Sequence, residues 1–225
     1  MSWIDEGYLI SKTKYNENSI IAEFFTNFHG KCSGIIFGGS SRKIKNYLQI
    51  GNKFHLNCNN KIEGRINTFK VEILKPISPN FFDNKNKLMC ISSVMSLVKI
   101  LTVEAQENKK VYKDIESFLN NLDDIYWLNK YIFWELNLLK HLGYDLDIEN
   151  IVSFEIINNK KKYFVKSNST IKYVPNFLVE KNNVTDQKSL ILGLKIITDY
   201  LNKSVLSINN ISHPLARINF INSLD

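Results

Sequence analysis

Arginine is almost missing from this chain. Among 225 residues it occurs at Arg42, Arg65 and Arg217 alone, while Lys and Arg together number 29. The positive charge is therefore lysine charge, in a chain crowded with Lys, Asn and Ile. Such a bias can follow from an AT-rich genome, so the net charge of +7 does not by itself establish an anionic partner. Cysteine is scarce as well. Cys32, Cys58 and Cys90 lie far apart and form no C-x-x-C pair, which excludes a zinc ribbon and a thiol redox motif and fits a reducing cytosol. The four histidines, His29, His55, His141 and His213, are widely spaced. No uninterrupted apolar run approaches the ~18 residues that cross a bilayer. The opening Met1–Glu6 is acidic and lacks an apolar segment, so no signal peptide is expected. With 9 glycines and 4 prolines, no repeat or low-complexity architecture is in prospect.

What remains is ordinary in bulk and uneven in detail. A hydrophobic share of 44% and a charged share of 23% fit a globular chain long enough to bury a core. Between residues 1 and 80, eleven cations face six anions, so an excess of five sits in about a third of the chain. Charge gathered in one segment is the footprint expected of nucleic-acid binding.

The first 75 or so residues read as short strands: Tyr8–Tyr15, Ser19–Thr26, Lys31–Phe37, Lys53–Cys58 and Arg65–Leu74, separated by turn signals such as Asn16-Glu17-Asn18 and Asn59-Asn60-Lys61. Five strands with a short segment between the third and fourth predict an OB-fold barrel, the alternative being an SH3-like barrel. Pro76-Ile77-Ser78-Pro79 marks a boundary. Beyond it the apolar period lengthens to about 3.6. Helices are expected around Leu88–Leu101, Val111–Leu122 and Leu128–Leu142, the last capped by Gly143, then Thr185–Leu201 with Asp186 in its first turn, and a short final helix from Pro214. Residues 150–176 interrupt this with a small β excursion, Ile151–Ile157 and Lys162–Val165. The reading is thus an α+β protein: an OB-fold nucleic-acid-binding domain over 1–78, then a helical domain over 79–225 with a β insertion.

The most suggestive stretch is Ile35–Lys45. An apolar run ends in Gly38-Gly39-Ser40-Ser41, and Arg42, Lys43 and Lys45 follow. Small hydroxyls and cations beside glycines suit phosphate contacts, although a tight turn with a solvated basic tip accounts for the same residues. Arg42, Lys43 and Lys45, then Lys31, Lys12 and Lys14, are the expected phosphate contacts. Phe28, Phe37, Tyr47, Phe54 and Phe69 supply candidate stacking rings, of which one or two are expected to meet bases and the rest to be core. No catalytic constellation emerges. Gly38-Gly39-Ser40 lacks the Lys-Ser/Thr ending of a P-loop, and there is no G-x-S-x-G elbow. Asp145 and Asp147 stand two apart, with no further acid placed to complete a metal site. Glu135 falls inside an apolar helical stripe and needs a partner, for which Arg217 is a candidate.

These motifs, taken in order, resemble the RecO family of bacterial DNA-repair proteins. The similarity rests on Trp3–Ile10, Asn18–Thr26, His29-Gly30-Lys31, Phe37–Lys43, Leu48-Gln49-Ile50-Gly51-Asn52, Trp134-Glu135-Leu136 with Leu142–Leu146, and the Pro214–Leu224 tail. It implies an OB-fold followed by a helical domain. It further implies binding of single- and double-stranded DNA, and annealing of complementary strands without a nucleotide. With RecR, and in some lineages RecF, such proteins help load RecA onto strands covered by single-strand-binding protein. The implied protein is a cytoplasmic, nucleoid-associated mediator and not an enzyme. Some family members carry a four-cysteine zinc site between the central and final helices. Residues 150–176 hold no cysteine, so neither zinc nor any other cofactor is expected. Two other readings stay open: a protein-binding adaptor whose charge is compositional bias, and a nuclease built near Asp145 and Asp147.

Overall fold

The computed structural model describes residues 2–59, 66–167 and 170–224. Five strands close into a barrel: β1 (Ser2–Lys14), β2 (Ser19–Thr26), β3 (Gly30–Phe37), β4 (Lys53–Asn59) and β5 (Asn67–Lys75), in the order β1-β2-β3-β5-β4. A short helix, α1 (Arg42–Tyr47), lies between β3 and β4. This is the OB-type arrangement that the strand pattern predicts. Arg65, where the fifth strand was expected to begin, lies outside the described residues. β1 also starts six residues before the predicted Tyr8, because Ser2–Tyr8 pairs with β4 while Gly7–Lys14 pairs with β2. One strand thus serves two neighbours, with a register shift between Leu9 and Ser11 where it bends.

Alternation decides which side chains go inside. Leu9, Phe24, Phe54, Leu56 and Phe69 fill the barrel, and Phe24 lies edge-on to both Phe54 (5.6 Å) and Phe69 (5.4 Å). α1 seats Ile44 and Tyr47 against this core, and Leu48 at its end is fully buried. Asn52 ties the connection together. It is buried, its amide donates to the Tyr47 carbonyl (2.8 Å), and its carbonyl accepts from Ile77 N (2.7 Å) and Ser78 N (3.0 Å). The neighbouring Gly51 has φ +86°, and a Cβ there would meet Ile91 Cγ2 at 2.3 Å. Both facts require glycine.

Three helices pack with the barrel in one compact unit of residues 1–119 and 214–223: α2 (Lys85–Leu101), α3 (Lys109–Asn120, up to Leu119) and α8 (Leu215–Asn222), the last against α2. α3 is held by a polar clasp. Lys53 Nζ reaches Glu116 (2.8 Å) and Glu6 (2.9 Å) between the rings of Tyr8 and Tyr112, which lie 5.5 Å apart. Burial disfavours the Lys53 charge, but the hydrogen bonds to Glu116 and Glu6 outweigh it and hold its pKa above the usual lysine range. Burial also pushes the Tyr112 hydroxyl up to about 12, against the pull of Lys53.

Residues 120–213, with Leu224, form a second unit, so the chain leaves the first unit and later returns to it. Here lie α4 (Trp127–His141), α5 (Ile148–Ile151), α6 (Asn176–Glu180) and α7 (Gln187–Leu201). α4 ends as its sequence predicts. Gly143 adopts φ +86° and the Tyr144 amide donates to the Leu139 carbonyl (2.8 Å). Asp186 sits just outside α7 rather than in its first turn, as a cap whose carboxylate accepts from Ser189 N (2.9 Å). The β excursion is an antiparallel sheet of β6 (Ser153–Ile157), β7 (Lys160–Ser167) and β8 (Thr170–Val174). Its third strand, and the short helices α5 and α6, span only four or five residues each, too short for a period to show in sequence.

Candidate nucleic-acid interface

The basic residues singled out from the sequence do not all converge. Lys12 and Lys14, from the free end of β1, and Lys45, from the last turn of α1, line one groove of about 480 Å³ with Thr13, Glu17, Ile20 and Ser40. Pairing of Lys12–Lys14 with Ala22–Ile20 fixes the strand side of this groove. The turn after β3 fixes the other. Gly38 takes φ +71°, Ser41 N donates to the Gly38 carbonyl (2.9 Å), and Ser41 Oγ caps α1 by accepting from Ile44 N (3.4 Å). The Gly-Gly-Ser-Ser stretch is therefore a helix-initiating turn that also forms a groove wall. Arg42 is exposed on α1. Lys43 lies on the same helix, with its side chain outside the described residues.

Lys12 is the central cation. Its ammonium donates to the Leu48 carbonyl, pinning β1 to the end of α1. Partial burial, and then the positive charge of Lys45, lower its pKa below the usual lysine range. A cation disfavoured by burial and by a neighbouring cation is relieved by an anion. Ser40 Oγ lines the same groove and makes no hydrogen bond.

Lys31 stands apart from this group. Its ammonium donates to the Lys99 carbonyl (2.7 Å) at the end of α2, near Glu23 and Glu104. Burial, the first of its influences, lowers its pKa, and the two glutamates pull the other way. The aromatic candidates divide too. Phe54 and Phe69 are core, Tyr47 is half-buried, and Phe28 and Phe37 are exposed. Lys109 Nζ lies 4.9 Å from the Phe28 ring centroid.

The Trp3–Asp5 and His29-Gly30 motifs have a structural purpose. Asp5 is buried. Its carboxylate accepts from Glu6 N (2.8 Å), Phe28 N (2.9 Å) and His29 N (3.2 Å), and meets His29 Nδ1 at 2.8 Å. Trp3 stacks on the His29 ring at 4.0 Å. The start of β1 thus fixes the β2–β3 turn. Glu135 and Arg217 are both fully buried, in the second and first units respectively. Among the described residues no three His, Cys, Asp or Glu side chains come together as a metal site would need, and no helix is long and apolar enough to cross a membrane. Lys160-Lys161-Lys162, a plain basic run, is not among the cations expected from the sequence to meet phosphate.

A closed five-stranded barrel with a basic groove, followed by helices that carry a small sheet, defines the class: an OB-barrel protein with a helical C-terminal region. The family model described as Recombination protein O N terminal matches residues 1–77, and that described as Recombination protein O C terminal matches residues 84–193. The chain belongs to the RecO family of DNA repair proteins. It is similar to the DNA repair protein RecO of Ehrlichia chaffeensis, 31% identical over 66% of this chain and 61% of that protein. The Rickettsia rickettsii protein of the same name is 35% identical over 64% of this chain and 60% of its own length. These matches span about three fifths of the relatives' lengths. The Wolbachia pipientis protein is matched end to end at 27% identity. Among solved structures, an asparaginyl-tRNA synthetase of Entamoeba histolytica is matched at 10% identity and a TM-score of 0.30, over 94% of this chain and 59% of that one, a likeness too slight to carry any argument.

Proposed function

We propose that this chain binds DNA through its barrel domain, residues 1–78, and acts as a recombination mediator. The observation that carries the reading is the groove in which Lys12, Lys14 and Lys45 converge beside Glu17, with the Lys12 charge disfavoured by burial and then by Lys45. Arg42 and Lys43 belong to the same helix as Lys45, α1, and are further phosphate contacts on this reading. Phosphates passing the groove would relieve that repulsion, and this contact is indifferent to base sequence. Exposed Phe37, at the end of β3, is the ring best placed in sequence to meet an unpaired base.

Annealing follows from the same physics. Two strands repel through their phosphates, and a cationic surface lowers that barrier while leaving base edges free. Family membership supports a protein that pairs complementary strands without nucleotide and works with RecR on strands covered by single-strand-binding protein, toward RecA loading. On this reading the protein is a cytoplasmic mediator rather than an enzyme.

The test is fluorescence anisotropy of a labelled single-stranded oligonucleotide across a salt series, with annealing of its complement followed without ATP. Wild-type affinity should fall steeply with salt. Lys12→Ala/Lys45→Ala should weaken binding for all sequences alike and flatten the log–log slope by roughly 1.4, about 0.7 per lost phosphate contact. Salt-insensitive or absent binding by the wild type would return the chain to a protein-binding adaptor.

A further inference from the structure

The β6–β8 sheet of the second unit is strongly basic. Residues 153–174 contain five lysines and one glutamate, so an excess of four lies within 22 residues. The register sorts these side chains by face, because directly opposed residues point the same way. Phe154 faces Tyr163, Ile156 faces Lys161, and Val165 faces Lys172. On the other face Glu155 opposes Lys162, and Tyr173, opposite Phe164, donates its hydroxyl to Glu155 at 3.1 Å. The single carboxylate of the three strands is thus turned away from Phe154, Ile156 and Lys161.

That face is closed at the β8 side, where Val174 is buried and Lys172 Nζ stands 4.0 Å from Asp199 Oδ2, and open at the β6 side. Phe154 is 54% exposed and Ile156 68%, where one side of a small sheet would ordinarily be covered. The Phe154 and Tyr163 rings meet edge to face at 6.2 Å, and Lys161 Nζ hovers 4.9 Å from the Phe154 centroid. We infer that the open part of this face is a second binding site, for single-stranded nucleic acid, with Phe154 and Tyr163 as the stacking surface and Lys161 as the phosphate contact. The chemistry selects the ligand. A duplex hides its base faces and would leave the exposed ring uncovered, whereas an unpaired strand offers bases and phosphates together. A phosphate drawing Lys161 outward would uncover the Phe154 ring for a base. The site lies in a different unit from the barrel groove and is independent of the proposal made for that groove.

The test measures binding of a labelled oligo-dT by the full chain, as wild type, Phe154→Ala, Lys161→Ala, Lys12→Ala/Lys45→Ala, and the barrel pair combined with Phe154→Ala. Phe154→Ala should weaken the binding that survives in the barrel variant by about fivefold or more at unchanged salt slope, as loss of stacking does. Lys161→Ala should flatten the slope. Photocrosslinking of an iododeoxyuridine oligonucleotide should label the peptide carrying Phe154 and Tyr163. If the barrel pair abolished all binding and Phe154→Ala changed nothing, this second site would be lost while the barrel reading stood. If Phe154→Ala weakened binding and the barrel pair did not, the reverse would hold. Crosslinks confined to the barrel, or capture by this face of phosphatidylserine vesicles or an acidic peptide in place of oligo-dT, would also overturn it.

Discussion

Asp5 illustrates how much one buried carboxylate can organise. It accepts from three backbone amides and orients His29, which in turn stacks beneath Trp3. Truncation to alanine would leave amides of the β2–β3 turn without their acceptor, at roughly 1–3 kcal/mol for each that water cannot reach. Asp5→Ala should therefore lower unfolding stability by about 3 kcal/mol, read from urea melts. Lys12 makes a prediction of a different kind. Burial and Lys45 favour its neutral amine, whereas a bound phosphate favours its ammonium. Raising the pH therefore strips Lys12 of its proton before the exposed lysines. Oligonucleotide affinity should begin to decline at a pH below the ordinary lysine range, and Lys12→Arg, which stays charged, should flatten that decline in anisotropy titrations. Lys31 marks what sequence alone does not disclose. Nothing adjacent to it signals that its ammonium turns to the Lys99 carbonyl, 68 residues away.

At the scale of elements, the strands of the barrel were legible because one face of each is buried and period-two alternation follows. Closure was not. It depends on two parallel pairs, Gly34 with Asn67 and Ile35 with Thr68, and no local pattern encodes them. β8 escaped notice for a related reason. Thr170, Ile171, Lys172 and Tyr173 are all exposed, so no alternation is imposed on them. The groove was legible in composition but not in geometry, since Lys12 and Lys45 are 33 positions apart and meet only through the barrel. Gly51 offers a test of the packing between the α1–β4 connection and α2. Gly51→Ala should cost roughly 2–4 kcal/mol, combining a left-handed φ with a clash on Ile91. Because the clash needs both side chains, Gly51→Ala/Ile91→Ala should lose less stability than the two single changes added, in a double-mutant cycle of chemical melts.

For the whole molecule, the decisive feature is that the chain returns. α8, near the C-terminal end of the chain, packs on α2 in the same unit as the barrel, and Phe220 is fully buried there. Deleting residues 214–225 should therefore damage the N-terminal unit. Its melting should drop by about 10 °C or more, as loss of a buried phenylalanine alone would require, and differential scanning calorimetry with limited proteolysis would follow it. That same return makes residues 120–213 a guest within the first unit, joined to it at both ends. Consider a chain gripped near Ser2 and Ser223 and drawn apart. The load enters through β1 and α8, which are joined in the first unit by way of α2. The grip of the eight-residue α8 on α2 is then the mechanical fuse, and its release hands the load to residues 120–213.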